Sequence, residues 1–125
     1  MKAIEPLADK VIESAGEVHK ELGSELLIEV YEKPLKKEMK KRGLSVVQKA
    51  WFPARYEDVV MEKAFFVDFF VDGTLLVKIK SDGPTTNLDI AILRSYLKHA
   101  GKSMGLLLNF YYEDFNDCFK KVMVY

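Results

Sequence analysis

The sequence predicts an α/β fold, a mixed sheet flanked by helices. Apolar residues recur at helical spacing in two opening segments, strand-like runs cluster in the middle, and a third helical stripe separates two apolar strands near the C-terminus. The 125 residues suit one ordinary domain, residues 1–125, long enough to bury a sizeable core.

The first stripe is Ile4, Leu7, Ala8, Val11, Ile12, Ala15, Val18, His19 and Leu22, one face of an amphipathic helix, with Gly23 as its stop. Ser24 can cap a second helix carrying Leu27, Tyr31, Leu35 and Met39. Pro34 lies inside that pattern. It lacks a backbone donor and should kink the helix or break it. Lys36, Lys37, Lys40, Lys41 and Arg42 load the last turns, where cations favour the helix dipole. They read as a solvated helix end rather than a nucleic-acid patch. Gly43 closes the element.

After Gly43 the period changes. Residues 44–52 and 54–56 read as strands separated by Pro53, and residues 64–71 are rich in Phe and Val. Asp72-Gly73 between that run and residues 74–80 signals a hairpin, because a type I′ turn needs positive φ at both central residues. Residues 81–84, Ser-Asp-Gly-Pro, form a loop. Thr85, Thr86 or Asn87 can cap a helix carrying Leu88, Ala91, Ile92, Ser95, Tyr96 and His99, which ends near Gly101. Residues 104–110 have the composition of a buried strand, and residues 119–125 read as a final strand after a polar turn. The helix between Lys80 and Met104 crosses over the sheet, so the strands on either side of it can pair in parallel.

Lysine plus arginine number 19 and aspartate plus glutamate 19, so the net charge is zero. That argues against a generic polyanion binder and leaves nucleic acid as a weakly held partner at most. Zero net charge also removes self-repulsion near neutral pH, so self-association is expected. Cys118 is the lone cysteine and cannot form an intrachain disulfide, which favours a reducing, cytoplasmic compartment. The opening residues lack the apolar run of a signal peptide. The longest apolar runs fall far short of the roughly 20 residues that span a bilayer, so no membrane association is expected.

Standard short motifs are absent: there is no GxxxxGK[ST], GxGxxG, HExxH or CxxC. His19 lies on an apolar stripe and reads as a satisfied core or boundary histidine. Cys118 reads as a packed thiol. Tyr111-Tyr112 reads as edge-strand packing rather than a base-stacking platform. The stretch from Phe65 to Lys80, FFVDFFVDGTLLVKIK, says more. Asp68 is a carboxylate inside an apolar strand, and Lys78 and Lys80 share a face of the next strand. Across the hairpin, residues 66–69 lie opposite residues 76–79, which brings Asp68 within reach of that lysine face. A carboxylate followed one hairpin later by alternating polar residues is the layout of a metal-dependent nuclease, in which carboxylates hold a divalent cation and a lysine orients water.

With these residues in view, the chain resembles the GxxExxY proteins, small prokaryotic proteins of the PD-(D/E)XK nuclease superfamily. The resemblance runs from about Ile4 to Val124. It rests on VHKELG at 18–23, LL..VYE..L at 26–35, KRGL at 41–44, Gln48, the Asp68 strand, the Lys78 and Lys80 pair, SYLK at 95–98 and GLLLNF at 105–110. It implies a restriction-endonuclease-like αβββαβ core with a mixed sheet flanked by helices.

The resemblance also shows departures. Of the family's Gly, Glu and Tyr, the Gly position is Glu25, the Glu position is Ile28, and Tyr31 alone is kept. In the D…ExK motif, Asp68 and Lys80 match, while the intervening Glu is Lys78. A glutamine usual on the later helix is Ile92 here. Asp68, Lys78, Lys80, Ile28, Tyr31 and Ile92 are therefore vestigial site positions with no intact catalytic set. One carboxylate beside two lysines offers a divalent cation the wrong charge, and the Lys78 ammonium can take the cation's place beside Asp68. The first reading is a catalytically inactive nuclease-like domain acting through protein or nucleic-acid contacts, with no cofactor. The second is a magnesium- or manganese-dependent nuclease whose carboxylate ligands have migrated, with Asp72 and Glu29 as candidates. The third is a homodimeric protein-interaction module.

Overall fold

The computed structural model describes residues 4–124. Helix α1 spans Ile4–Leu22 and buries Leu7, Ala8, Val11, Ala15 and Val18, the predicted stripe. Gly23, at φ 78°, ends it. Helix α2 spans Ile28–Lys41 and buries Tyr31, Leu35 and Met39. The expectation at Ser24 fails, and of the two outcomes expected at Pro34 the break does not occur. Ser24 is not its cap: the helix starts after Leu27, which offers no side-chain cap. Glu25 sits at φ 61°, and the Tyr31 hydroxyl holds the connection non-helical by donating to the Gly23 carbonyl at 2.7 Å and accepting the Leu26 N–H at 3.1 Å. Pro34 does not break the helix either, which runs through it to Lys41. Tyr31, Leu35 and Met39, each fully buried, hold the turns on either side against the sheet, and that packing outweighs the missing backbone donor.

Strands β1 (Val46–Tyr56), β2 (Val59–Val71), β3 (Leu75–Lys80), β4 (Met104–Asn109) and β5 (Phe119–Met123) form one sheet in that order. The β1–β2, β2–β3 and β4–β5 pairs are antiparallel and β3–β4 is parallel. The parallel pair comes from helix α3 (Asn87–Ala100) crossing over, as expected. Asp72 and Gly73 turn with φ 50° and 66°, and Phe69 pairs with Val77 across the hairpin. Residue 125 of the expected last strand lies outside the described residues.

The middle of the sheet differs from the sequence reading. Pro53 does not divide β1; a register shift between Phe52 and Ala54 absorbs it within one strand, and that strand begins at Val46 rather than Leu44. Strand β2 starts at Val59, not Ala64, because Glu57 (φ 53°) and Asp58 make a second hairpin turn. No glycine marks that turn and Val59, Val60 and Met61 are all exposed, so neither turn chemistry nor alternation signals it.

Helices α1 and α2 cover one face of the sheet, in a core with Phe69, Val71, Leu75, Val77, Leu106 and Phe110. Helix α3 covers the other, with Leu93 and Leu97 packed on Ala50, Val67, Leu76, Leu107 and Val122. Even-numbered β3 residues face α3, so Lys78 and Lys80 point to that side. Val67 packs under α3 while Phe69 packs under α1 and α2, so strand β2 changes its inward face at Asp68. Lys49, across from Asp68, has φ 54° and drops out of the ladder. Among the described residues, no helix is long and apolar enough to cross a membrane.

Candidate functional site

The irregularity at Asp68 builds the site. Strands β2 and β3 pair through Phe69 and Val77 and then part. Beyond that point the Asp68 Oδ2 accepts the Ile79 backbone N–H at 2.8 Å and lies 3.6 Å from Lys78 Nζ. The predicted reach from Asp68 to the lysine face is therefore real, and the carboxylate satisfies a strand donor that lacks a ladder partner. Lys78 is also held over two rings, 5.3 Å from the Phe66 centroid and 6.0 Å from that of Tyr96.

Lys80 turns to different partners. Its Nζ donates to Asp89 Oδ2 at 2.8 Å and to the Pro84 carbonyl at 3.0 Å. Asp89 is the third residue of α3, where it closes a capping box: Thr86 Oγ1 accepts the Asp89 N–H and Asp89 Oδ2 accepts the Thr86 N–H. Burial raises the Asp89 carboxyl, but the hydrogen bonds from Lys80 and Thr86 outweigh it and hold the group below the ordinary carboxylate range. Asn109 fixes the same loop by donating to the Gly83 carbonyl and Thr85 Oγ1, and the Tyr112 hydroxyl accepts the Thr85 N–H.

Lys78, Lys80, Asp82, Asp89, Ile92 and Tyr96 line a cleft of about 410 Å³ between β3 and α3. A second cleft of about 470 Å³, on the side of the α1–α2 connection, has Glu25, Ile28, Glu29, Lys80 and Asp82 on its walls. Lys80 and Asp82 belong to both. The structure thus gathers Asp68, Lys78, Lys80 and Ile92 on one side of β3 and sets Ile28 on the other. Tyr31 stands apart: it is fully buried, stacked on Phe110 at 4.2 Å and engaged with the α1–α2 connection. Asp72 is spent elsewhere, accepting the Ser45 N–H at 2.7 Å.

Sequence reasoning missed Asp89 and Asp82. The signal for Asp89 was present: Thr86 and Asp89 have capping-box spacing, and a crossover helix after β3 starts beside the last residue of that strand. The other singled-out residues have structural partners. His19 Nε2 lies 2.8 Å from the Tyr112 carbonyl oxygen. Burial pushes the Cys118 thiol up to about 11, consistent with a packed, unreactive group. Tyr111 and Tyr112 lie in a turn after β4, not on an edge strand, because β4 ends at Asn109, whose side chain accepts the Tyr111 N–H.

A divalent cation asks for several oxygen donors and net negative charge. Asp68 supplies one carboxylate, one of whose oxygens is already bonded, with an ammonium beside it. Among the described residues, no group of three or more His, Cys, Asp or Glu side chains is placed to hold a metal ion. The residues present do not fit the cation that this layout of strands would otherwise hold.

An antiparallel strand trio, a crossover helix and a parallel fourth strand, with an acid and lysines where β2 and β3 part, define a restriction-endonuclease-like fold. The chain matches the family model of the PD-(D/E)XK nuclease superfamily over residues 5–122 and belongs to that superfamily. A comparison with curated proteins found no match, and a comparison with solved structures found none.

Proposed function

We propose that this chain keeps the nuclease fold without metal-dependent chemistry and works by contact, with a second copy of itself as the partner, in a reducing cytoplasm. The observation that carries the first part is the Lys78 ammonium 3.6 Å from Asp68. It stands where the resemblance to GxxExxY proteins sets the second metal-binding acid. Ile28 and Ile92 replace a further acid and an amide on either side of β3, so the donor set is lost in three places. A half-buried Asp68 without the cation needs a positive partner, and Lys78 provides one.

The test is incubation of the purified chain with single- and double-stranded DNA and RNA in millimolar magnesium or manganese, alongside calorimetric titration of each metal. No cleavage and no saturable binding are expected. Metal-dependent cleavage abolished by Asp68→Ala would overturn the proposal. A nuclease with migrated ligands draws on one observation, the Glu29 and Asp82 carboxylates on the walls of the Lys80 cleft. Cleavage lost in Glu29→Ala would establish it.

A further inference from the structure

Two oppositely charged surfaces lie at the two ends of the β1–β2 ribbon. At its base, Lys33, Lys36, Lys37, Lys40 and Lys41 of α2 surround Gln48 of β1 in a shallow concavity of about 630 Å³. Lys41 is paired with Glu38, but Lys33, Lys36, Lys37 and Lys40 make no ion pair with any described carboxylate. At the tip, Glu57 and Asp58 form the turn and Glu62 follows, all exposed and none paired with a described cation. Tyr56, Val59 and Val60 flank them at 69%, 54% and 45% exposure. An apolar collar around an acidic turn is costly to leave in water.

The two surfaces cannot meet within one molecule. Gln48 and Glu57 lie nine residue steps apart along the strand, roughly 30 Å at strand rise. A second copy can bring them together. Strand β1 is an edge of the sheet, with Lys49, Trp51, Pro53 and Arg55 exposed in alternation along it. When two copies lay β1 antiparallel across a two-fold axis, directly opposed residues share a face, so their numbers must differ by an even count. With Pro53 on the axis, Lys49 falls beside Glu57 of the second copy and Arg55 beside its Trp51. That alignment also carries the acidic tip toward the lysine concavity of the second copy. Pro53 has no N–H and Lys49 has left the ladder, so side chains rather than a continued sheet make this contact.

We infer that the ribbon is a self-docking arm: its acidic tip seats in the α2 lysine concavity of a second copy, reciprocally, around a two-fold axis through Pro53. The inference rests on the reading of the chain as a domain that contacts a second copy: a monomer would overturn both, whereas a dimer indifferent to the variants below would overturn the arm alone.

The experiment is sedimentation velocity of the full chain at low and high salt, with two variants. A dimer, twice the 14.4 kDa chain mass, is expected at low salt, with dissociation near 1 M salt, where screening acts within about 3 Å. The variants Glu57→Lys/Asp58→Lys and Lys36→Glu/Lys37→Glu/Lys40→Glu should each associate at least tenfold more weakly. Mixed together, they restore complementary charge at both contacts and should form a heterodimer. A lone tryptophan, Trp51, lies at the contact, so its emission should change with the same concentration dependence. A wild-type monomer at low salt, a dimer indifferent to both variants, or a mixture that stays monomeric would overturn the inference. So would a monomer whose concavity binds a nucleic-acid duplex instead.

Discussion

Lys80 Nζ donates to Asp89 Oδ2 at 2.8 Å, and the same oxygen accepts the Thr86 N–H at 2.9 Å. One carboxylate oxygen thus ends β3, starts α3 and closes the loop between them. Lys80 is thereby tied to the scaffold.

Replacing Asp89 should therefore act on stability. Asp89→Ala removes the reciprocal cap and leaves Lys80 with the Pro84 carbonyl, and should cost about 1–2 kcal/mol in urea unfolding. Asp89→Asn keeps an acceptor oxygen and should cost less. Equal losses from both would mean that charge, not the cap, carries the effect.

The same carboxylate sets a pH dependence. Its folded-state value lies below the ordinary range, so its contribution is complete above the unfolded value of about 3.9 and is lost as pH falls through the folded value. The stability gap between wild type and Asp89→Asn should therefore be widest near neutral pH and narrow in acid. A gap constant down to about pH 2 would place the stabilisation elsewhere.

Placing an acid at position 78 probes the other lysine. Lys78→Glu sets a second carboxylate near Asp68 and removes its cation, and should destabilise the fold by about 1–3 kcal/mol in chelator. Millimolar manganese should then raise the melting temperature of this variant and not of wild type, because ligand bound only to the folded state adds its binding energy to stability. Melting curves with and without manganese read both effects.

Glu25 has its backbone at φ 61°. A side chain there strains the left-handed conformation, so Glu25→Gly should stabilise by about 1 kcal/mol, visible as a higher melting temperature. Gly105 behaves oppositely. An added Cβ would meet Leu93 Cδ1 and Cγ at 3.0 Å and Cδ2 at 3.1 Å, so rotation of one methyl cannot clear it. Gly105→Ala should cost about 1–3 kcal/mol in the same assay.

Much of this molecule follows from local pattern. The buried stripe of α1, the positive φ at Asp72 and Gly73, and the reach of Asp68 toward Lys78 are set by residues close in sequence or by one hairpin register, and each is legible in the chain. The differences at Ser24, at Pro53 and at the unforeseen Glu57-Asp58 turn share a cause. At each, a contact outside the residue's own turn or strand pattern overrode the local preference: the Tyr31 hydroxyl on the α1–α2 connection, and the pairing of β1 with β2.

The site divides the same way. The sequence by itself determined which side chains stand at these positions: Ile28 and Lys78 carry no carboxylate, and folding cannot supply one. Only the tertiary structure decided what the remaining charges do. The crossover of α3 delivers Asp89 to Lys80, and β2 and β3 part just where Asp68 can take both Ile79 and Lys78. Charge pairing depends on distance in space: one hairpin register brings Asp68 within reach of Lys78, but the contact across the crossover and the point where β2 and β3 part are set by packing that no local pattern encodes.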